Sequence, residues 1–159
     1  MAKTTAANLE GEKLKNFSLP STSDTEFQLK DMAGKNVVLY FYPKDATPGC
    51  TVESIEFSKL LPQFQKLNTE VFGISRDSIP SHEKFKMKQK IKFELLADED
   101  EKVCKLFDVI HEKNMYGKKV MGIVRSTFLI DKKGTVIKEW RKVTAEGHAQ
   151  EVLNFVKDL

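Results

Sequence analysis

Val37-Val38-Leu39-Tyr40-Phe41-Tyr42 runs without a charged residue into Pro43-Lys44-Asp45-Ala46-Thr47-Pro48-Gly49-Cys50-Thr51, and this junction decides the fold. Six successive apolar or aromatic residues read as a strand buried on both faces, the mark of a central strand. Beyond it Val52, Ile55, Leu60, Leu61, Phe64 and Leu67 keep a roughly helical spacing, so a helix is expected over 51–66. Pro62 lacks an N–H inside that run, and a kink or two shorter helices are expected there. Cys50 then sits in or beside the helix's first turn, where free N–H groups and the positive end of the dipole gather. That setting favours thiolate over thiol. Pro43 and Pro48 fix two φ angles, Gly49 lets the backbone approach whatever meets the sulfur, and Thr47 adds a hydroxyl nearby. Residue types alone leave two readings open: a reactive thiol, or the small buried hydrophobe that a lone cysteine often is.

Outward from the junction, residues 1–13 are polar and small and read as a loose N-terminal arm. Residues 16–20 and 26–29 alternate about Ser21-Thr22-Ser23-Asp24 and predict a β-hairpin. Thr69–Ser75 reads as a second strand, Pro80–Lys90 as a lysine-rich helix and Phe93–Leu96 as a third strand. Acidic residues 98–101 open a helix carrying Val103, Leu106, Phe107 and Ile110 at i, i+3, i+4, i+7. Residues 111–121 read as a polar connection, 126–131 with 136–140 as a hairpin, and 147–159 as a closing helix. A βαβαβα order followed by a hairpin makes an α/β chain with a mixed central sheet flanked by helices, a thioredoxin-like fold in one domain over 1–159.

Bulk properties narrow the function classes. A chain of 159 residues with 40% hydrophobic and 31% charged residues suits one well-solvated globular domain. The net charge is +3 and the lysines are scattered, so no focused basic stripe marks a nucleic-acid partner. Met1–Ala7 has no apolar core, so no secretory signal is expected, and no run reaches membrane-spanning length. Two cysteines outside any Cys-x-x-Cys pair fit a reducing cytoplasm. His82, His111 and His148 share no ligand spacing, so neither a metal nor a cofactor is expected.

Pro43-x-x-x-Thr47-x-x-Cys50 resembles the peroxiredoxin active-site pattern. The longer string from Phe41 to Glu53, with Gly73-Ile74-Ser75-Arg76-Asp77 and Arg125–Asp131 in order, resembles the bacterioferritin comigratory protein (Q-type) subfamily. The likeness extends from about Phe17 to the C-terminus. It implies a thioredoxin-like fold and a thiol peroxidase that reduces hydrogen peroxide and organic hydroperoxides through a Cys50 sulfenic acid. It implies that Thr47 holds the peroxide, Pro43 shields the pocket and Arg125 holds the thiolate. Backbone N–H groups around Gly49 and Cys50 are candidates for the electrostatic cradle. Without the resemblance Arg125 reads as a surface charge and Thr47 as a helix cap. Glu53, one turn past Cys50, either orients Arg125 or simply suits the helix start. The Gly73–Asp77 stretch is read as structure.

Recycling is less direct. The two positions at which this subfamily carries a resolving cysteine are Ile55 and Lys86 here. The remaining thiol, Cys104, reads as a half-buried helix residue, and a Cys50–Cys104 disulfide is the disfavoured route because it needs Cα atoms within about 7 Å. A one-cysteine cycle is expected, with thioredoxin or another external thiol attacking the sulfenic acid, in a monomer. A peroxide-oxidised sensor or chaperone-like protein without efficient turnover is the alternative. Thiol–disulfide exchange is disfavoured because Cys50-Thr51-Val52-Glu53 lacks a second sulfur.

Overall fold

The apolar run forms strand Asn36–Phe41 at the middle of a seven-stranded sheet, with every residue from Val37 to Tyr42 buried. The computed structural model describes residues 8–159, with Met115 described by its backbone alone. The strands among them are β1 (Ser18–Ser21), β2 (Thr25–Gln28), β3 (Asn36–Phe41), β4 (Thr69–Ser75), β5 (Leu95–Ala97), β6 (Ile110–Met115), β7 (Lys118–Ile123), β8 (Ser126–Ile130) and β9 (Val136–Arg141). The helices are α1 (Pro48–Lys66), α2 (Ile79–Gln89), α3 (Lys102–Leu106) and α4 (His148–Lys157). The large sheet has the order β2-β1-β5-β4-β3-β8-β9; β6 and β7 pair separately. β3, β4 and β5 are parallel to one another, and β8 and β9 are antiparallel additions beside β3. This is the expected thioredoxin-like mixed sheet, and the hairpin β1–β2 is present.

Alternation along β3 divides the core. Val38, Tyr40 and Tyr42 face a layer built with Cys50, Phe57, Leu61 and Phe64 of α1, Phe85 of α2 and Val152, Leu153 and Val156 of α4. Val37, Leu39 and Phe41 face the opposite layer, which holds Leu19, Phe27, Val103, Cys104, Phe107, Phe128 and Val136. Near the site the first layer is tightly packed. Tyr40 stacks on Phe57 at 4.7 Å, and its hydroxyl lies 2.7 Å from Ser54 Oγ. Gly73 lies opposite Tyr40 in the β3–β4 register because a side chain there does not fit.

Four expectations are corrected. α1 runs through Pro62 as one helix, not as two shorter ones, since buried Leu61 and Phe64 on either side outweigh one missing backbone bond. α3 ends at Leu106, where left-handed Asp108 (φ 54°) turns the chain into β6; Leu106 is exposed and Ile110 is in a strand. Residues 110–123 are a hairpin turning at Tyr116 and Gly117, both with positive φ. Its strands lie largely in solvent, so no apolar alternation announced it. Residues 8–13 of the expected loose arm are tied to the β9 region: Gly11 N–H donates to Val136 O, Val136 N–H to Glu12 O and Leu9 N–H to Glu139 Oε1. Residues 1–7 of that arm lie outside the described residues.

A Cβ at position 73 would lie 2.7 Å from the Tyr40 ring and 2.9 Å from Leu95 Cδ2, both in packed core. Gly73→Ala is expected to destabilise the fold by about 1–3 kcal/mol, read as a lower urea midpoint at unchanged slope.

Candidate active site

Cys50 is the third residue of α1. Thr47 is the N-cap, Pro48 takes the first helical position, where its missing N–H costs nothing, and Gly49 follows. The first helical bond runs from Thr51 N–H to Thr47 O at 2.9 Å, and no side chain caps the turn. The N–H groups of Gly49 and Cys50 therefore have no intrahelical acceptor and are available to an anion. The Thr47 hydroxyl donates instead to Lys44 O at 2.8 Å. With its proton committed there, its lone pairs are left to accept a bond from a ligand. Pro43 and Thr47 are both partly exposed and flank the loop that leads into the turn.

Arg125 occupies the two-residue step between β7 and β8. The register pairs Phe41 with Ser126, so the residue before Ser126 arrives beside the loop leaving β3. Its backbone carbonyl accepts from Val143 N–H at 3.1 Å. Its Nη1 donates to Glu53 Oε1 at 2.8 Å and reaches Cys50 Sγ at 3.5 Å. A Cβ on Gly49 would lie 2.9 Å from Arg125 Nη2, so the glycine is what lets the guanidinium come down over the turn. Thus Cys50, Thr47, Gly49, Glu53 and Arg125 belong to one small region, and the surface-charge reading of Arg125 and the side-chain cap reading of Thr47 fall away.

The electrostatics turn on burial. Glu53 is fully buried, and its Oε2 has no hydrogen-bond partner among the described residues. Burial pushes its carboxyl up to about 7, against the downward pull of Arg125. For Arg125, burial acts to lower the value, but Glu53 and Cys50 more than offset it and hold the guanidinium above its ordinary range. A second cation stands nearby: Lys113 of β6 crosses Gly122 and donates to Ile123 O. Burial first, then Arg125 and Arg76, lower it below the ordinary lysine range.

Cys50 itself has no exposed surface, although attack on a peroxide needs a sulfur that a small oxidant can reach. The third position of the helix points into the layer beneath Tyr40 and Tyr42, and Arg125, 17% exposed, closes over the other side. Cys104 is fully buried rather than half-buried, because Asp98 accepts from its N–H at 2.6 Å and from Val103 N–H at 3.2 Å, drawing the start of α3 inward. Burial, then Asp98, push its thiol far above the ordinary range. Cys50 and Cys104 lie in opposite core layers with the sheet between them.

Sequence reasoning missed Lys113 and the groups beneath the loop: Asp45, Asp77 and His82 with Tyr42 and Ser81. The polar residues just after the β3 and β4 runs were the available signal. It also gave no role to His148, which joins Thr127 Oγ1 to Glu151 Oε1.

Residues 11–139 match the AhpC/TSA family. Peroxiredoxin Bcp of Xanthomonas campestris is 51% identical over 143 residues, covering 89% of each chain. A structure of the X. campestris bacterioferritin comigratory protein, described for its alkyl peroxide reduction activity, superposes with a TM-score of 0.86 at 49% identity, over 89% of this chain and 90% of that one. A PrxQ mutant structure from Xylella fastidiosa gives a TM-score of 0.92 at 46% identity, over 97% and 98%. With these likenesses, and a buried cysteine held by an arginine at the start of a helix, the chain belongs to the PrxQ/Bcp-type peroxiredoxins, thiol peroxidases of the AhpC/TSA family.

Proposed function

We propose that this chain reduces hydrogen peroxide and organic hydroperoxides through a Cys50 sulfenic acid, and that an external thiol, thioredoxin being the favoured one, returns Cys50 to the thiol. The observation that carries this reading is the contact of Arg125 Nη1 with Cys50 Sγ at 3.5 Å, at a helix start whose first N–H groups are free of side-chain caps. The thiolate attacks the nearer peroxide oxygen, the O–O bond breaks, and the other oxygen leaves as hydroxide or alkoxide, which takes up a proton. Arg125 and the first-turn N–H groups stabilise the charge as it passes from sulfur to the leaving oxygen. Thr47 Oγ1 accepts a hydrogen bond from the peroxide O–H and fixes the line of attack. Pro43 bounds the mouth of the pocket.

Because the sulfur is covered, the first turn and the Arg125 side chain move aside for the peroxide and again for the reductant. The one-cysteine cycle is supported by the position of Cys104: a Cys50–Cys104 disulfide would require the sheet to come apart between two core layers. The same covering supports the alternative of a sensor or chaperone-like protein that oxidises without efficient turnover. Two free cysteines suit a cytoplasmic setting, and a monomer completes the reading.

The test is peroxide consumption with a thioredoxin system, together with intact mass after one equivalent of peroxide. Wild type and Cys104→Ser are expected to gain one oxygen at Cys50 and to turn over alike, whereas Cys50→Ser consumes no peroxide above background. Equal slow consumption by wild type and Cys50→Ser overturns the peroxidase; a Cys50–Cys104 peptide as main product overturns the one-cysteine cycle; oxidation without turnover selects the sensor. Arg125→Ala is expected to slow Cys50 oxidation by about a hundred- to a thousandfold, read in the same mass assay.

Glu53 adds a pH dependence. Its folded-state value of about 7 stands above the ordinary 4.5, so the native state binds its proton more tightly than the unfolded chain does. The stability this contributes is complete below 4.5 and is lost as pH rises to about 7. Glu53→Gln keeps an acceptor for Arg125 and has no charge to bury. Its melting temperature is expected to gain on that of the wild type across this window and to hold a constant lead above it.

A further inference from the structure

Asp45, Asp77 and His82 bring three potential ligand atoms within 4.8 Å of one another beneath the active-site loop. The ligand atoms of Asp45 and His82 are already engaged. Asp45 Oδ1 accepts from the Tyr42 hydroxyl at 2.6 Å; its Oδ2 accepts from Ser81 Oγ at 2.8 Å and lies 2.7 Å from His82 Nδ1. The other ring nitrogen, Nε2, lies 2.9 Å from Leu96 O. Burial works to raise Asp45, but the bonds from His82, Tyr42 and Ser81 hold it below the usual carboxylate range, so it is ionised. Each ring nitrogen of His82 thus faces an oxygen acceptor, the Asp45 carboxylate on one side and the Leu96 carbonyl on the other. The two form a close pair with the His82 side chain wholly buried and that of Asp45 4% exposed. It joins the loop after β3 to the first turn of α2 and to β5.

We propose that the Asp45–His82 pair is the positioning device of the peroxide site, acting on the reacting atoms through Thr47. Asp45 is held by its backbone as well: its N–H donates to Asp77 Oδ2 at 2.8 Å, and that oxygen also accepts from Ser75 Oγ at 2.6 Å. The next residue, Ala46, has φ 65°, a left-handed conformation that residues with a Cβ avoid unless their surroundings impose it. Here the imposing surroundings are the bonds to Asp45. From Ala46 the chain enters Thr47 in extended conformation at φ −78°, and the Thr47 hydroxyl turns its proton back to Lys44 O. That orientation leaves its lone pairs for the peroxide. Release of Asp45 lets Ala46 relax to negative φ and swings Thr47 away, while Cys50 stays in α1 beside Arg125. The pair therefore controls alignment of the peroxide rather than the nucleophilicity of the sulfur.

The proposal rests on the peroxidase reading, and two rates measured at one pH separate them: rapid-quench mass spectrometry of Cys50 oxidation by hydrogen peroxide, and alkylation of Cys50 by iodoacetamide. Asp45→Asn and His82→Gln are expected to slow oxidation about ten- to a hundredfold, the cost of a misplaced reacting partner, while alkylation stays close to wild type or rises. Because both act through Thr47, adding either change to Thr47→Val is expected to slow oxidation little further. An unchanged oxidation rate, a parallel fall in oxidation and alkylation, or full multiplication of effects in the double variants overturns the proposal. Should Asp45→Asn fail to fold, the His82→Gln and Thr47→Val cycle gives the same answer; failure of both to fold overturns it by assigning the pair to stability. No reaction of the wild type with peroxide overturns the peroxidase reading itself, whereas a normal wild-type reaction with unaffected variants overturns only the positioning role.

Discussion

One guanidinium nitrogen, Arg125 Nη1, serves two acidic side chains at once, Cys50 Sγ and Glu53 Oε1. The rest of the architecture reads as the means of holding that nitrogen where it is. α1 presents both acids on one face because they are three residues apart, about one turn. The antiparallel pairing of β8 with β3 delivers the arginine to the end of the strand from which α1 departs. Gly49 removes the one Cβ that would block it. A single positive charge cannot fully satisfy both neighbours, and the orphaned Oε2 of Glu53 marks where the shortfall falls.

That shortfall follows from burial. Placing a thiol, a carboxyl and a guanidinium under the first turn of a helix excludes water and strengthens each charge's influence on the others. The same burial raises the Glu53 carboxyl and closes the sulfur off from solvent. The first turn of α1, which carries that sulfur, has no side-chain cap to hold it shut. Beneath the loop the arrangement is the reverse, with the side chains of Asp45 and His82 hydrogen-bonded at each polar atom. A tightly bonded floor thus lies beneath an uncapped turn.

The two thiols show how a sheet partitions chemistry. Successive residues of β3 point to opposite layers, so Cys50 and Cys104 are packed on different sides of a wall of hydrogen-bonded backbone. Helical spacing had placed Cys104 at the edge of an apolar stripe running to Ile110. The short α3, stopped by the left-handed turn at Asp108 and drawn in by Asp98, buries it instead.

What the sequence determined by itself was local. The unbroken run Val37–Tyr42 specified a central strand, and proline, glycine and threonine around Cys50 specified a helix start with a sulfur in it, because these depend on backbone preferences and periodicity over a few residues. Arg125 was legible through resemblance, since nothing in its own neighbourhood distinguishes it from a surface charge, and Glu53 through its place one turn past Cys50. Tertiary structure alone decided what depends on long-range register and solvent exclusion. It tied residues 8–13 to β9, folded 110–123 into a solvent-borne hairpin, and kept α1 whole through Pro62. It also joined Asp45 to His82 across 37 positions. Pairings of that kind leave no periodic trace, since each partner's local sequence is compatible with many others, and only the packed sheet chooses among them.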